Sequence, residues 1–276
     1  MTPPPGFVVL DEGRLFVHES AGAVASVCGL ETFAAWFALG GGEEVRRIGA
    51  RATSRLPAGL SGLPWELYLK RFEPIGWGER LKNWLSLKRV HHGARPEFEA
   101  ALRFQQLGIP TVEPIVFGEA GGRSLLVTRG LVGYRDLKEL LAAGHPCLAD
   151  AATRRRMATE LADMARTMHG AGLHHQDFYL NHVLANVTES DGVAGLDDLR
   201  IIDLGRVRER RPLARRWIVK DLSQLDYSAA LASAREKVLF LRTYLGRPIS
   251  REDRGWLRQV AAKSRWIDRH TRRHGL

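Results

Sequence analysis

Cysteine is almost absent: Cys28 and Cys147 are the only two in 276 residues. That scarcity excludes a disulfide-stapled scaffold and a four-cysteine zinc module, and it points to a reducing compartment, the cytoplasm. Long apolar runs are lacking too. The most apolar stretch, Phe33–Leu39, falls well short of the roughly 20 residues of a membrane-spanning helix, and Glu31 precedes it. The opening MTPPPGFVVLDEG has no basic start followed by an apolar run, so no secretory signal is expected. No internal repeat or low-complexity tract stands out. With 45% apolar residues, 7 Trp and 10 Phe, the chain reads as a soluble folded globule and not as a disordered one. Acidic residues are the minority, 31 Asp+Glu against 41 Lys+Arg, for a formal net charge of +10. Such an excess favours an anionic partner: nucleic acid, a phosphorylated substrate or an acidic membrane face. Most of the cations are arginine, whose planar fork suits phosphate and carboxylate.

The length allows two modest lobes with cores of their own. From Glu44 to Phe72 the chain alternates in character around the Gly/Pro-rich stretch 57–64, as strands and turns do. Pro96 and Glu97 open a segment of helical periodicity that Gly108-Ile109-Pro110 ends. Two short strands are expected around the turn at 120–123. After Gly133 the pattern turns helical. Helices are expected over Tyr134–Ala143, Ala151–Gly170, Leu222–Leu245 and Arg251–Arg273. The expected architecture is α+β with two lobes: residues 1–132 as an N-terminal extension and strand-rich lobe, and residues 133–276 as a helical lobe.

Phosphoryl transfer needs a carboxylate near the acceptor hydroxyl and a second on the metal that bridges the donor phosphates. The segment His175-Gln176-Asp177 with His182 five residues after the acid, followed by Asp203-Leu204-Gly205 at the end of a β-branched run, supplies such a pair. Both elements resemble the catalytic loop and metal-binding acid of protein-kinase-like enzymes. Asp177 is then the group that orients the acceptor hydroxyl and takes its proton late, and Asp203 the metal ligand. Lys70, in the strand-like Leu67–Arg71, stands where a kinase keeps the lysine that contacts donor phosphates. Glu97, early on the next helix, is its expected partner, with Glu99 as the competitor. For each residue taken alone the plain alternative is an exposed lysine, a favourable first-turn charge or an ordinary turn; it is their order along the chain that favours the kinase reading.

Over most of the chain after about residue 65 the sequence resembles the lipopolysaccharide core kinases of the Kdo/WaaP type. The resemblance runs through Tyr68-Leu69-Lys70, Lys82–Leu87, Glu97-Phe98, Gly108–Thr111, His175–Tyr179 with His182, Ile202-Asp203-Leu204, Arg215-Arg216-Trp217 and Lys220-Asp221-Leu222. It implies a protein-kinase-like bilobal fold and an ATP- and magnesium-dependent kinase acting on a sugar of the lipopolysaccharide inner core, a heptose in the first instance. It also implies an anionic glycolipid acceptor, and hence a cytoplasmic protein in peripheral contact with the inner membrane. An ordinary kinase carries Arg and Asn where Gln176 and His182 stand, with Asn181 one position early. His182, Asn181 or Asp203 alone are therefore the open choices for the metal. No Gly-x-Gly-x-x-Gly covers the nucleotide, and no Ala-Pro-Glu follows Asp203 as it would in a protein kinase.

Rival readings remain. One is phosphorylation of Kdo or another small hydroxylated molecule. A second is a catalytically inactive kinase-shaped module binding anionic glycolipid. A third is a zinc site built from His174, His175, Asp177 and His182. Nucleic acid is not the expected partner. The basic segments 78–95, Arg206–Arg216 (six arginines in eleven residues) and Arg269–His274 are expected to grip acceptor phosphates and the membrane surface.

Overall fold

The computed structural model describes residues 3–74, 93–190 and 193–274. They form two compact units, Met1–Leu102 with Val112–Val132, and Arg103–Thr111 with Gly133–Leu276. The basic, tryptophan-bearing stretch after Pro74 lies outside the described residues.

In the first unit the described strands form one seven-stranded sheet of order β1-β2-β6-β7-β5-β4-β3, all neighbours antiparallel. The strands are β1 (Phe7–Leu10), β2 (Leu15–His18), β3 (Glu43–Ile48), β4 (Arg51–Leu56), β5 (Leu67–Phe72), β6 (Pro114–Ala120) and β7 (Arg123–Arg129). Strand side chains alternate faces. Leu67 and Leu69 of β5, with Leu125 and Val127 of β7, therefore join one buried cluster. Phe72 and Leu126 point the other way into a second cluster. The region before residue 45, which the sequence left unread, supplies β1, β2, α1 (Glu19–Val27) and α2 (Phe33–Ala38). The apolar run Phe33–Leu39 is thus a short helix capped by Thr32. Its Trp36 is fully buried in the first cluster and donates its indole N–H to the Leu30 carbonyl at 2.7 Å. At the far edge, all six side chains of β3 are exposed, and its register shifts between Glu44 and Arg46.

The face carrying Phe72 is covered by α3 (Arg95–Gln106). Phe98 stacks on Phe117 at 4.5 Å between ring centres and meets Phe7 edge-on at 5.3 Å. The entry to this helix is pinned where the Ala94 N–H donates to Ser124 Oγ (2.9 Å).

The second unit is built around α5 (Ala151–Gly170), whose Met157, Leu161, Met164, Ala165 and Met168 are buried at helical spacing; Asp150 caps its start. Residues 103–111 group with this unit: the Thr111 hydroxyl donates to the Ile201 carbonyl (2.6 Å) and the Ile201 N–H to the Pro110 carbonyl (3.0 Å). A small sheet has the order β11-β10-β8, from β8 (Tyr134–Asp136), β10 (Val183–Ser190) and β11 (Val193–Ile201), and β9 (Leu173–His174) pairs with β12 (Arg208–Glu209). Two expected helices change. Tyr134–Asp136 pairs with β10 instead of starting a helix, and α4 (Leu137–Ala142) begins only where Asp136 caps it. The expected Leu222–Leu245 helix is two, α6 (Arg215–Ser228) and α7 (Ala234–Leu245), because Ser233 and Glu236 form a capping box that starts a new helix. The last helix, α8, runs Arg254–His274. The strand-rich first unit and helical second unit are the α+β arrangement expected. Among the described residues no helix is long and apolar enough to cross a membrane.

Candidate active site

The first unit brings Lys70 and Glu97 together. Lys70 shares the β5 face of Phe72, and α3 crosses that face with Glu97 in its first turn, so the Lys70 ammonium donates to Glu97 Oε1. Glu97 is 2% exposed. An acid this deeply buried is tolerated because a cation meets it. Glu99 is instead exposed and sits 3.7 Å from Arg95.

The second unit holds the other candidates on two adjoining turns. Between β9 and β10 the chain passes through Gln176, whose φ of +70° puts a non-glycine residue in the left-handed region. Asp221, on α6, holds that conformation in place. Fully buried, it accepts the His175 N–H (2.6 Å) and the Gln176 N–H (2.9 Å), and His169 Nε2 lies 3.3 Å away. Burial would raise its pKa; the contacts with His169 and His175 outweigh that and hold the carboxylate below its ordinary value. Gln224, one turn on, accepts the Phe178 N–H and donates to the Gln176 carbonyl, each at 3.0 Å. The sequence had marked Lys220-Asp221-Leu222 without giving Asp221 a role. The signal was there: an acid inside the apolar stripe Val219, Leu222, Leu225 needs buried donors.

The second turn follows β11. The Ile202 N–H donates to the His182 carbonyl (2.9 Å), and Asp203 takes a left-handed conformation (φ 58°, ψ 55°) that turns the chain into the Leu204–Arg206 turn. Carboxylate oxygens of Asp177 and Asp203 and a ring nitrogen of His182 thereby lie within 4.8 Å of one another. His182 Nδ1 is 2.7 Å from the Asp177 carbonyl, which can only accept, so the ring proton sits on Nδ1. Nε2 lies 3.7 Å from Asp203 Oδ2. A histidine that donates one nitrogen to a backbone carbonyl and offers the other is the usual form of a metal ligand.

The other two histidines of the loop do not join this group. His175 is fully buried and donates Nε2–H to the Ile202 carbonyl (3.1 Å), bracing one turn against the other; burial pushes its pKa down. His174, also buried, stacks on Trp217 at 4.6 Å between ring centres and accepts from Arg210 Nε at 3.3 Å; burial lowers its pKa to about 4. The four-ligand zinc arrangement is therefore corrected: among the described residues, the group that could hold an ion is Asp177, His182 and Asp203. Part of the basic segment is also engaged. Arg210 and Arg216 lie over the Trp217 ring, at 4.8 and 5.1 Å, and Arg211 pairs with Glu209 at 2.7 Å.

Residues 63–244 match the sequence profile of the lipopolysaccharide kinase (Kdo/WaaP) family. The chain is 32% identical over 237 residues to the lipopolysaccharide core heptose(I) kinase WaaP of Pseudomonas aeruginosa, spanning 83% of this chain and 84% of that protein. It is 30% identical over 248 residues to the enzyme of the same name from Escherichia coli K12, spanning 85% and 91%. The solved structure of WaaP in complex with acyl carrier protein aligns with a TM-score of 0.69 at 27% identity, over 94% of this chain and 98% of that one.

Proposed function

The chain belongs to the lipopolysaccharide kinase (Kdo/WaaP) family, kinase-like in fold and a phosphotransferase toward a sugar hydroxyl, and on that premise we propose that it moves the γ-phosphoryl group of ATP to a heptose of the lipopolysaccharide inner core. The observation that carries this is the cluster of Asp177, His182 and Asp203 beside a catalytic loop whose backbone Asp221 clamps.

Asp177 accepts the hydrogen bond of the acceptor hydroxyl, aligns its oxygen for in-line attack and takes the proton late. Lys70, fixed by Glu97, donates to the donor phosphates. Asp203 and His182, with Asp177 at hand, form the donor set for magnesium. Hard magnesium prefers oxygen, so the two carboxylates suit it, with the imidazole nitrogen as a third donor. The ion, when bound, neutralises phosphate charge. The acceptor is an anionic glycolipid, so the protein works in peripheral contact with the cytoplasmic face of the inner membrane, with exposed arginines such as Arg269 and Arg273 toward the surface. Mass spectrometry of core oligosaccharide from cells with and without the gene tests the reading: one phosphate is expected to disappear from a heptose, and an unchanged core would sink it.

A second partner comes with the solved relative, whose complex contains acyl carrier protein. An apolar cavity of about 260 Å³ lined by Leu141, Met157, Leu222, Leu225 and Phe240 favours it, being of a size for an aliphatic chain. Acyl carrier protein is expected to co-purify with the chain and to be lost with Leu225→Arg.

A further inference from the structure

Arg206 is the cation of the basic segment that faces the reaction centre. Four of its five arginine neighbours make other contacts: Arg210 and Arg216 lie on Trp217, Arg211 on Glu209, and Arg208 Nη1 donates to the Val207 carbonyl at 2.5 Å. Arg206 Nη1 lies 3.6 Å from Asp177 Oδ2, beyond hydrogen-bond length, and the side chain is 64% exposed. An exposed pair at that distance contributes little to folding.

The backbone beneath it is fixed all the same. Gln176 spends its side chain on Arg206, donating Nε2–H to the Arg206 carbonyl at 2.6 Å, from a residue already held at φ +70° by Asp221. Leu204, two residues earlier in the same turn, is fully buried. The fold thus anchors the main chain of residue 206 to the catalytic loop while leaving its guanidinium in solvent beside Asp177.

A second observation concerns Lys220, which precedes Asp221 on α6. Burial, and after it the positive charge of Arg206, hold its pKa below the ordinary lysine value, with Lys263 adding to the effect and Asp221 and Asp177 opposing it. Among the described residues Lys220 makes no ion pair. Two cations, Arg206 and Lys220, thus act on the surroundings of Asp177. Of the acids nearby, Asp221 is taken up by backbone and imidazole donors, and Asp203 stands with Asp177 in the candidate metal group. An entering anion relieves that crowding.

We propose that Arg206 is a catalytic residue, whose guanidinium swings from Asp177 onto the oxygens of the phosphoryl group in transfer, an arginine supplied in cis. This rests on the kinase function proposed above. In the step it serves, the bond from the γ-phosphorus to its bridging oxygen breaks and ADP leaves. A bond forms from phosphorus to the acceptor oxygen, whose proton passes to Asp177. Charge is then spread over three equatorial oxygens, which a planar fork of donors matches better than an ammonium does.

The experiment measures turnover of ATP with heptose-containing core oligosaccharide for the parent protein, Arg206→Gly and Arg206→Lys, each with and without millimolar guanidinium. Turnover by the parent establishes the kinase function itself; a parent without turnover overturns that and this proposal with it. With an active parent, Arg206→Gly is expected to lose about a hundredfold in kcat. Its KM for ATP should change only a few-fold, its melting temperature should stay near the parent's, and added guanidinium should restore part of the rate. Arg206→Lys, a point charge in place of a fork, is expected to fall between the two. A kcat within about threefold of the parent, a loss confined to KM, or a loss that guanidinium leaves untouched overturns the proposal.

Discussion

The two units hold their charged side chains in opposite ways. In the first, Lys70 and Glu97 are buried partners, positioned by strand alternation and by the Phe98–Phe117 stack, and neither is stable there without the other. In the second, the side chains of Asp177 and Asp203 stay about a quarter exposed, and the burial falls on residues behind them: Asp221, His174 and His175. The first unit protects a contact already made. The second protects a backbone, and with it the grouping of Asp177, His182 and Asp203.

That difference is open to direct test. The largest expected effect is at Asp177. Asp177→Asn is expected to lower kcat by roughly 10³–10⁴-fold, at the upper end of what a positioned base contributes, with an unchanged melting temperature. A variant turning over at the parent's rate would remove Asp177 from the chemistry. Next comes the buried pair. Lys70→Met leaves Glu97 without a counter-charge and is expected to cost about 3–5 kcal/mol in urea unfolding, besides turnover. Adding Glu97→Leu should return most of the stability and none of the activity. If the single variant unfolds like the parent, the contrast between the units is wrong.

The smallest effect is one of pH. His174 holds its folded pKa near 4, below the ordinary histidine value of about 6.5. As pH falls from 6.5 toward 4 the unfolded chain takes up a proton that the native state refuses, so stability declines across that window, by about 3 kcal/mol for this group. His175 is pushed the same way by burial and adds to the slope. Replacing His174 by Phe, which keeps a ring against Trp217, should flatten the slope of unfolding free energy against pH. An unchanged slope would mean that the ring is charged in the native state.

Elements with a long period and a clean cap were legible in the sequence. Ala151–Gly170 carries five core positions at helical spacing, and the hairpin at 120–123 has glycines where the chain must turn. Tyr134–Asp136 was not legible, because three residues carry no period and the strand exists only through pairing with β10. Nor were residues 3–42, whose short helices gain their stability from the sheet beneath them. In the site, spacing named Asp177, His182 and Asp203 but not what orients them. The bond from His182 Nδ1 to the Asp177 carbonyl and the clamp from Asp221 depend on how turns far apart in sequence meet. Its place at the helix start had favoured Glu97 over Glu99, and in the structure Glu97 meets Lys70 while Glu99 is exposed near Arg95.

Among the described residues the strand Glu43–Ile48 ends the large sheet with an open row of amide and carbonyl groups, guarded by two glutamates, two arginines and a shift of register. Such a margin is where a second polypeptide would zip on, and the charges and kink keep copies apart at high concentration. Exchanging Glu44 and Arg47 for valine would invite fibril-like stacking or precipitation in a protein whose catalytic side chains were all still in place.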